Sequence, residues 1–317
     1  MSKKKFYISG VLIAFLLGFI LMILLKVIFN KENTNNVKKQ INKNQKIQVT
    51  TSFYPLYFFA SQIGGNKVEV QNITPVGAEP HDYEPTAKDI ARIEKSNLLI
   101  LNGVKLEAWG DKIKDNLKGS KVAVITVGNN IANQQVIEEG QSIQDPHVWL
   151  SPQLAKLEVK AILNGYIKID SQNKGYYYEN TNKLLTQLDE LDKEFKLGLS
   201  TCKQSDIITS HSAFGYLGKA YGLNQVPISG LSPDEEPSSK QLVEVAKFAK
   251  DNNIKYIFFE SLVSPKLSET IASEVGAKTL VLDPIEGISE GDMKAGKNYL
   301  TVMEDNLKNL KIALECQ

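Results

Sequence analysis

The chain lacks the sequence features that are typical of disulfide-rich proteins, zinc hydrolases and nucleic-acid-binding proteins. Its 317 residues include only two cysteines, Cys202 and Cys316. Two are too few for a disulfide scaffold, and neither lies in a Cys-x-x-Cys motif. The His-Glu-x-x-His motif of zinc hydrolases is also absent. Beyond residue 46 there are 28 Lys and Arg against 35 Asp and Glu, a net charge of about −7. That charge excludes the basic footprint of a nucleic-acid-binding domain.

The first 46 residues predict a membrane segment and a tether. An uncharged apolar run of 20 residues, Phe6 to Leu25, follows three lysines and is long enough to cross a bilayer. Because no small-residue cleavage pattern follows it, we expect an uncleaved anchor within residues 1–30 and a polar tether at 31–46. The lysines then stay inside, and the remaining chain lies outside the cytoplasm. The alternative is a cleaved signal segment and a secreted protein.

Strand-like apolar runs alternate with helical patterns in the rest of the chain, which is typical of α/β folds with mostly parallel sheets flanked by helices. We expect one lobe at 47–170 and a second at 201–317, bridged by one long helix at 171–200. The stripe that predicts this helix consists of Leu184, Leu185, Leu188, Leu191 and Phe195. Strands are predicted at 47–52, 67–73, 98–102, 121–127, 206–209, 225–229, 254–260 and 279–282, and helices at 86–96, 240–251 and 266–275.

The chain has only three histidines, His81, His147 and His211, and each falls in a loop-like segment. Open α/β sheets bind ligands in the crevice beyond the carboxyl ends of their strands. Three imidazoles and one carboxylate form the four-coordinate sphere that Zn²⁺ prefers. A single such histidine is more often a surface residue, but three in matching contexts predict one metal site in the cleft between the lobes. The carboxylate is expected after the last strand, where Asp283 and Glu286 compete.

Six segments carry a specific resemblance that covers the chain from Ile47 to its C-terminus. They are Ser52-Phe53-Tyr54-Pro55-Leu56, Pro80-His81-Asp82-Tyr83-Glu84-Pro85, Asp145-Pro146-His147-Val148-Trp149-Leu150-Ser151-Pro152, Thr209-Ser210-His211-Ser212-Ala213-Phe214-Gly215-Tyr216-Leu217, Gly230-Leu231-Ser232-Pro233-Asp234-Glu235-Glu236-Pro237-Ser238 and Leu282-Asp283-Pro284-Ile285-Glu286-Gly287. With these the chain resembles the zinc- and manganese-binding solute receptors of bacterial ABC importers, the cluster A-I or TroA-like family.

The resemblance implies a monomeric receptor that is not an enzyme and delivers a transported Zn²⁺ to an ABC permease in the membrane. A histidine at position 211 is similar to the zinc receptors, whereas manganese receptors tend to carry a carboxylate there. The family's acidic ligand matches Glu286 better than Asp283, which we keep as a candidate for orienting a histidine. Three alternatives stay open: a receptor for manganese or another divalent metal, a secreted zinc hydrolase, and a surface adhesin.

Two departures from the family pattern limit what the resemblance implies. Segment 128–144 contains no histidine, so an accessory metal-gathering loop is not expected there. Gram-positive members usually carry a lipid-modified cysteine just after the apolar run, but the first cysteine here is Cys202, so we do not expect a lipid anchor. A bond between Cys202 and Cys316 and a pair of separate thiols are equally compatible with the sequence.

Overall fold

The computed structural model describes Met22, Lys26 and residues 46–317, apart from 139 and 140. Residues 47–317 form one compact unit. Most of the predicted anchor and tether therefore lies outside the described residues. Among the residues that are described, no helix is long and apolar enough to cross a membrane.

The N-terminal half builds a four-stranded parallel sheet with strand order β2-β1-β3-β4. Every side chain of the central strand β3 is buried, as expected of a parallel sheet covered on both faces. The elements are β1 (Ile47–Thr51), α1 (Tyr54–Gly64), β2 (Val68–Asn72), α2 (Ala87–Lys95), β3 (Leu98–Leu101), α3 (Gly110–Asn116) and β4 (Ala123–Thr126), followed by the antiparallel hairpin β5 (Gln135–Glu138) and β6 (Gln141–Gln144).

The C-terminal half repeats this topology, with strand order β10-β9-β7-β8 and parallel pairing throughout. In both sheets the order reverses beside the first strand of the half, which is where α/β folds open a crevice. The elements are β7 (Asp206–Thr209), α6 (Gly215–Tyr221), β8 (Asn224–Pro227), α7 (Ser239–Asp251), β9 (Tyr256–Phe259), α8 (Lys266–Val275), β10 (Lys278–Val281), α9 (Glu290–Lys294) and α10 (Tyr299–Ala313).

Helix α4 (Pro152–Ile169) ends the first half, and the long helix α5 (Lys174–Leu199) connects it to the second. Helix α5 has 26 residues, a length of roughly 39 Å at 1.5 Å per residue. It packs against α1 and α4 of the first half and α10 of the second. The structure buries four members of the predicted stripe, and Leu185 is partly buried. The two lobes and the bridging helix of the predicted fold class are confirmed.

One hydrophobic core runs through both lobes. Phe58 and Phe59 of α1 pack against Tyr299 of α10, with ring centroids 5.8 and 4.8 Å apart. Tyr299 also donates a hydrogen bond to the Trp149 carbonyl, and Trp149 Nε1 donates to the Pro284 carbonyl across the cleft at 2.7 Å. Because buried side chains cross the junction, the lobes are coupled by packing as well as by α5.

The predicted strands and helices match the observed ones within a few residues. Thr86 is the N-cap of α2, and its capping box with Asp89 begins the helix. Helices α1, α3, α4, α6 and α9 and the hairpin within segment 128–144 were not predicted. The lobe limits at residues 170 and 201 stay a prediction, because residues 47–317 behave as a single compact unit. A disulfide joins Cys202 to Cys316.

Candidate metal centre

Four side chains converge at the junction of the lobes: His81, His147, His211 and Glu286, with potential ligand atoms all within 4.8 Å of one another. The Nε2 atoms of His81 and His147 each lie 3.0 Å from Glu286 Oε1, and His211 Nε2 lies 3.3 Å from the same oxygen. His147, His211 and Glu286 are buried, whereas the His81 side chain retains 10% exposure. Three imidazole nitrogens thus face one carboxylate oxygen in a site that is almost fully buried from solvent.

Two carboxylates fix which nitrogen of each buried ring points inward. His147 Nδ1 lies 2.8 Å from Asp145 Oδ1, and His211 Nδ1 lies 2.6 Å from Glu260 Oε1. A carboxylate only accepts hydrogen bonds at neutral pH, so each Nδ1 carries the hydrogen. The Nε2 lone pair of the neutral ring then points toward Glu286. This carboxylate–histidine arrangement is the one that orients imidazoles for a metal ion.

The inward-facing atoms are incompletely satisfied by protein partners. Neither His211 Nε2 nor Glu286 Oε2 has a hydrogen-bond partner among the described residues, although both are buried. Lone pairs of two imidazoles directed at a carboxylate repel one another unless a proton or a cation lies between them. Three nitrogens and one oxygen suit tetrahedral Zn²⁺, so the donor set fits this ion.

The loop that carries His81 is attached to both lobes. Gly77, in the left-handed region with φ of 78°, donates its N–H to the Ile288 carbonyl of the C-terminal lobe at 3.1 Å. Tyr83, two residues after His81, donates to Asp89 Oδ2 of α2 at 2.7 Å. Hydrogen bonds therefore hold this loop on both sides of His81.

Glu286 projects from a strained turn. The preceding Ile285 is buried and has φ of 57°, an unusual conformation for a β-branched residue that costs about 1–3 kcal/mol. At Gly287 an added Cβ would lie 2.8 Å from Leu262 Cδ1 and 3.1 Å from the Ala78 carbonyl oxygen. The absence of a side chain at Gly287 therefore permits a close approach of the lobes. The left-handed residue is Ile285, directly before Glu286.

The titrating groups of the metal-free centre are strongly perturbed. Burial lowers the pKa of His147, but its hydrogen bonds to Asp145 and Glu286 outweigh burial and raise it. The pKa of His211 is likewise lowered by burial but held well above its usual range by the charges of Glu260 and Glu286. Burial raises the pKa of Glu286, yet the charge of His211 and the hydrogen bond from His147 hold it well below normal. Without a metal, protons on the histidines balance the carboxylates.

A further acid, Glu79, lies beside the centre and was not predicted as part of it. Burial and the negative charge of Glu286 raise the pKa of Glu79 to about 10, and the charge of His211 opposes this only in part. Its Oε1 accepts a weak hydrogen bond from the His81 N–H at 3.5 Å. Glu79 is therefore neutral at pH 7 in the metal-free protein.

Sequence reasoning missed the two carboxylates that orient the histidines. Asp145 stands two residues before His147, and Glu260 directly follows β9, whose carboxyl end faces the crevice. Both positions, one two residues before a histidine and one at the end of a predicted strand, can be recognised in the sequence. Asp283, the residue kept for this role, instead accepts a hydrogen bond from the Ile285 N–H at 2.7 Å and contacts none of the histidines by hydrogen bond.

Comparison with known proteins agrees with this geometry. Residues 49–313 match the family model of the periplasmic zinc-uptake complex component A, ZnuA. The chain belongs to the ZnuA family. It is 40% identical over 284 residues to the high-affinity zinc uptake system protein ZnuA of Bacillus subtilis, covering 86% of this chain and 89% of that protein.

Two further relatives extend the match. The chain is 36% identical over 316 residues to the zinc-binding protein AdcA of Streptococcus pyogenes, with 93% of this chain covered, but it spans only 61% of AdcA. Among solved structures, the Zn(II)-bound ZnuA-like domain of Streptococcus pneumoniae AdcA superimposes with a TM-score of 0.75 at 40% identity. That alignment covers 86% of this chain and all of the domain.

Proposed function

We propose that this chain is the extracytoplasmic receptor of a zinc ABC importer. It binds one Zn²⁺ through His81, His147, His211 and Glu286 and delivers the ion to a permease in the membrane. The observation that carries the proposal is the convergence of three Nε2 atoms on one buried carboxylate oxygen. Zinc is here the transported substrate and not a resident cofactor. Membership of the ZnuA family supports the same role.

The donor set favours zinc over manganese. Three imidazole nitrogens suit Zn²⁺, whereas Mn²⁺ prefers spheres richer in carboxylate oxygen. The carboxylates Asp145 and Glu260 contact the Nδ1 atoms of His147 and His211. They orient these rings and do not add oxygen ligands to the metal site. Cu²⁺ and Ni²⁺ bind nitrogen-rich sites at least as tightly under the Irving–Williams order, so selection in the cell rests on metal availability.

A transport role accounts for the site better than hydrolysis does. A catalytic zinc keeps one position open for water and needs a general base nearby. The four proposed ligands are enough for a full tetrahedral sphere, and three of them are buried. The receptor acts outside the cytoplasm as a monomer, tethered by its N-terminal segment.

Zinc titration of the full-length chain tests the proposal. Calorimetry is expected to give one tight site for Zn²⁺ and weaker binding of Mn²⁺. His211→Ala is expected to lower zinc affinity by several orders of magnitude, because the remaining three ligands lose their closed sphere. Glu290→Gln is the control, since Glu290 is an exposed glutamate four residues from the proposed ligand Glu286 and pairs with Lys294. Equal affinities in wild type and His211→Ala would remove this histidine from the site.

Growth under zinc chelation tests delivery to the permease. Cells that lack the receptor should stop growing when zinc is chelated, and the wild-type chain should restore growth. His211→Ala expressed at the same level should not restore it. Rescue by this variant would mean that the chain supports growth without carrying zinc.

A further inference from the structure

Tyr216 of α6 enters a hydrophobic cluster of the opposite lobe. Its ring packs with Ala132 and Val148, and all three residues are buried. The partly buried members of the same cluster, Val104, Ile131 and Leu154, precede the bridging helix as well. Tyr216 thus belongs by sequence to the C-terminal lobe and by packing to the N-terminal one.

The hydroxyl of Tyr216 makes three hydrogen bonds at the base of the β5–β6 hairpin. It accepts from the N–H groups of Asn133 and Gln134 at 2.9 and 3.1 Å and donates to the Asp145 carbonyl at 3.1 Å. We call these three contacts the interlobe latch. The hairpin base is closed beneath them by the Asp145 N–H, which donates to the Gln134 carbonyl at 3.0 Å. A hydroxyl has one hydrogen and two lone pairs, so this one is fully used.

The latch includes Asp145, whose side chain orients His147. Asp145 Oδ1 accepts hydrogen bonds from both the N–H and Nδ1 of His147, at 2.9 and 2.8 Å. On the other side, Tyr216 follows His211 by five residues, so the latch connects the surroundings of one histidine from each lobe. Gly215 lets the helix come this close, since an added Cβ would lie 2.8 Å from Asp145 Oδ2.

We propose that Tyr216 is a positioning residue for metal binding: its hydroxyl fixes Asp145, and through it the ring of His147, relative to His211. This inference rests on the proposed function for its effect on the metal. The latch itself is a property of the fold. Loss of the hydroxyl leaves two N–H groups and one carbonyl at the hairpin base without their partner, so the Asp145 backbone is free to shift.

Tyr221 provides a matched control on the same helix. Its hydroxyl donates to Asp192 Oδ1 of the bridging helix at 3.0 Å, and its ring stacks on Phe195 at 5.0 Å. Tyr221→Phe therefore removes one tyrosine hydroxyl and its hydrogen bond from α6 without touching the hairpin. A general loss of stability affects both variants, whereas a positioning effect is confined to Tyr216→Phe.

The experiment compares full-length wild type, Tyr216→Phe, Tyr221→Phe and Gly215→Ala. Zinc affinity is measured by chelator competition, the geometry of the site by the visible absorption of the Co²⁺-loaded protein, and the latch by amide hydrogen exchange at Asn133 and Gln134. Tyr216→Phe is expected to lose about tenfold in zinc affinity, to shift the cobalt bands and to exchange faster at both amides. Gly215→Ala, which keeps the hydroxyl but crowds Asp145, is expected to lower affinity too. Tyr221→Phe should retain the wild-type affinity and spectrum.

Wild-type zinc affinity and cobalt spectrum in Tyr216→Phe would overturn the proposal, as would equal losses in Tyr216→Phe and Tyr221→Phe. Unchanged exchange at Asn133 and Gln134 would refute the latch. A wild-type chain that binds neither zinc nor cobalt would instead refute the proposed function, and hydrogen exchange would still decide whether the latch exists.

Discussion

Replacing Glu260 by glutamine is expected to weaken zinc binding by about 10- to 100-fold at pH 8. His211 Nδ1 lies 2.6 Å from Glu260 Oε1, and both side chains are buried. The glutamine has nearly the same size and still offers a carbonyl oxygen to the ring. What it lacks is the negative charge that strengthens the hydrogen bond and makes His211 Nε2 a better donor to the metal. Each factor of ten in affinity corresponds to about 1.4 kcal/mol.

The loss of zinc affinity in Glu260→Gln should become smaller as the pH falls. Glu260 also stabilises the proton on His211, which zinc must displace when it binds. Burial lowers the pKa of His211, but the charges of Glu260 and Glu286 hold it well above its usual range. In the zinc-free protein His211 is therefore protonated at neutral pH, and metal binding releases that proton. Without the charge of Glu260 the pKa of His211 falls, so proton competition at pH 6 weakens zinc binding less in the variant than in wild type.

The same raised pKa predicts how zinc-free stability depends on pH. Protonated His211 adds stability that is complete below its unfolded pKa of about 6.5 and is lost as the pH rises through the higher folded pKa. Glu260→Gln should reduce this dependence, because the charge of Glu260 is one of the two that raise the pKa of His211. Thermal unfolding of the zinc-free protein from pH 6 to pH 9 measures it.

Chelator competition at pH 6, 7 and 8 measures the affinity difference. Glu274→Gln is the control, because Glu274 is an exposed glutamate of the same lobe that pairs with Lys250. Wild-type affinity in Glu260→Gln at pH 8 would refute the orienting role of this carboxylate. A difference that stays constant across the pH range would refute the account of proton competition.

Three further predictions follow from the fold and the site. Small-angle scattering should show little compaction on zinc binding, because one core crosses both lobes; a large change in the radius of gyration would contradict this. The double variant Cys202→Ser, Cys316→Ser should lose about 4–5 kcal/mol of unfolding free energy by the chain-entropy estimate for a sequence separation of 114, and an unchanged denaturation midpoint would contradict that. Glu286→Gln should lose zinc affinity, whereas Asp283→Asn should retain it, because Asp283 accepts from the Ile285 N–H rather than from a histidine and an asparagine oxygen can accept in its place. X-ray absorption tests this pair, and loss of an oxygen ligand only in Asp283→Asn would exclude Glu286 as the ligand.

The sequence by itself determined the alternation of strands and helices, the bridging helix and the three histidines as site candidates. These features are local: strand and helix periodicities extend over 5 to 20 residues, and Thr86 with Asp89 begins α2 through contacts three residues apart. With only three histidines in the chain, no selection among them was needed. Helix α1 was missed because it is buried on several faces, and α4 because apolar residues such as the exposed Leu157 lie outside its buried face; both patterns blur the apolar stripe.

Only the tertiary structure decided which carboxylate meets which histidine. Glu260 lies 49 residues from His211 along the chain, and Glu286 lies 139 residues from His147. The chain carries 36 acidic residues, and their side chains are chemically alike, so spacing alone does not pair them. The pairing results from the strand order, which brings the ends of distant strands together, and from close approaches across the lobes such as that of Tyr216 to Asp145. Contacts of this kind depend on how the two lobes are placed relative to one another, and local sequence patterns do not determine that placement.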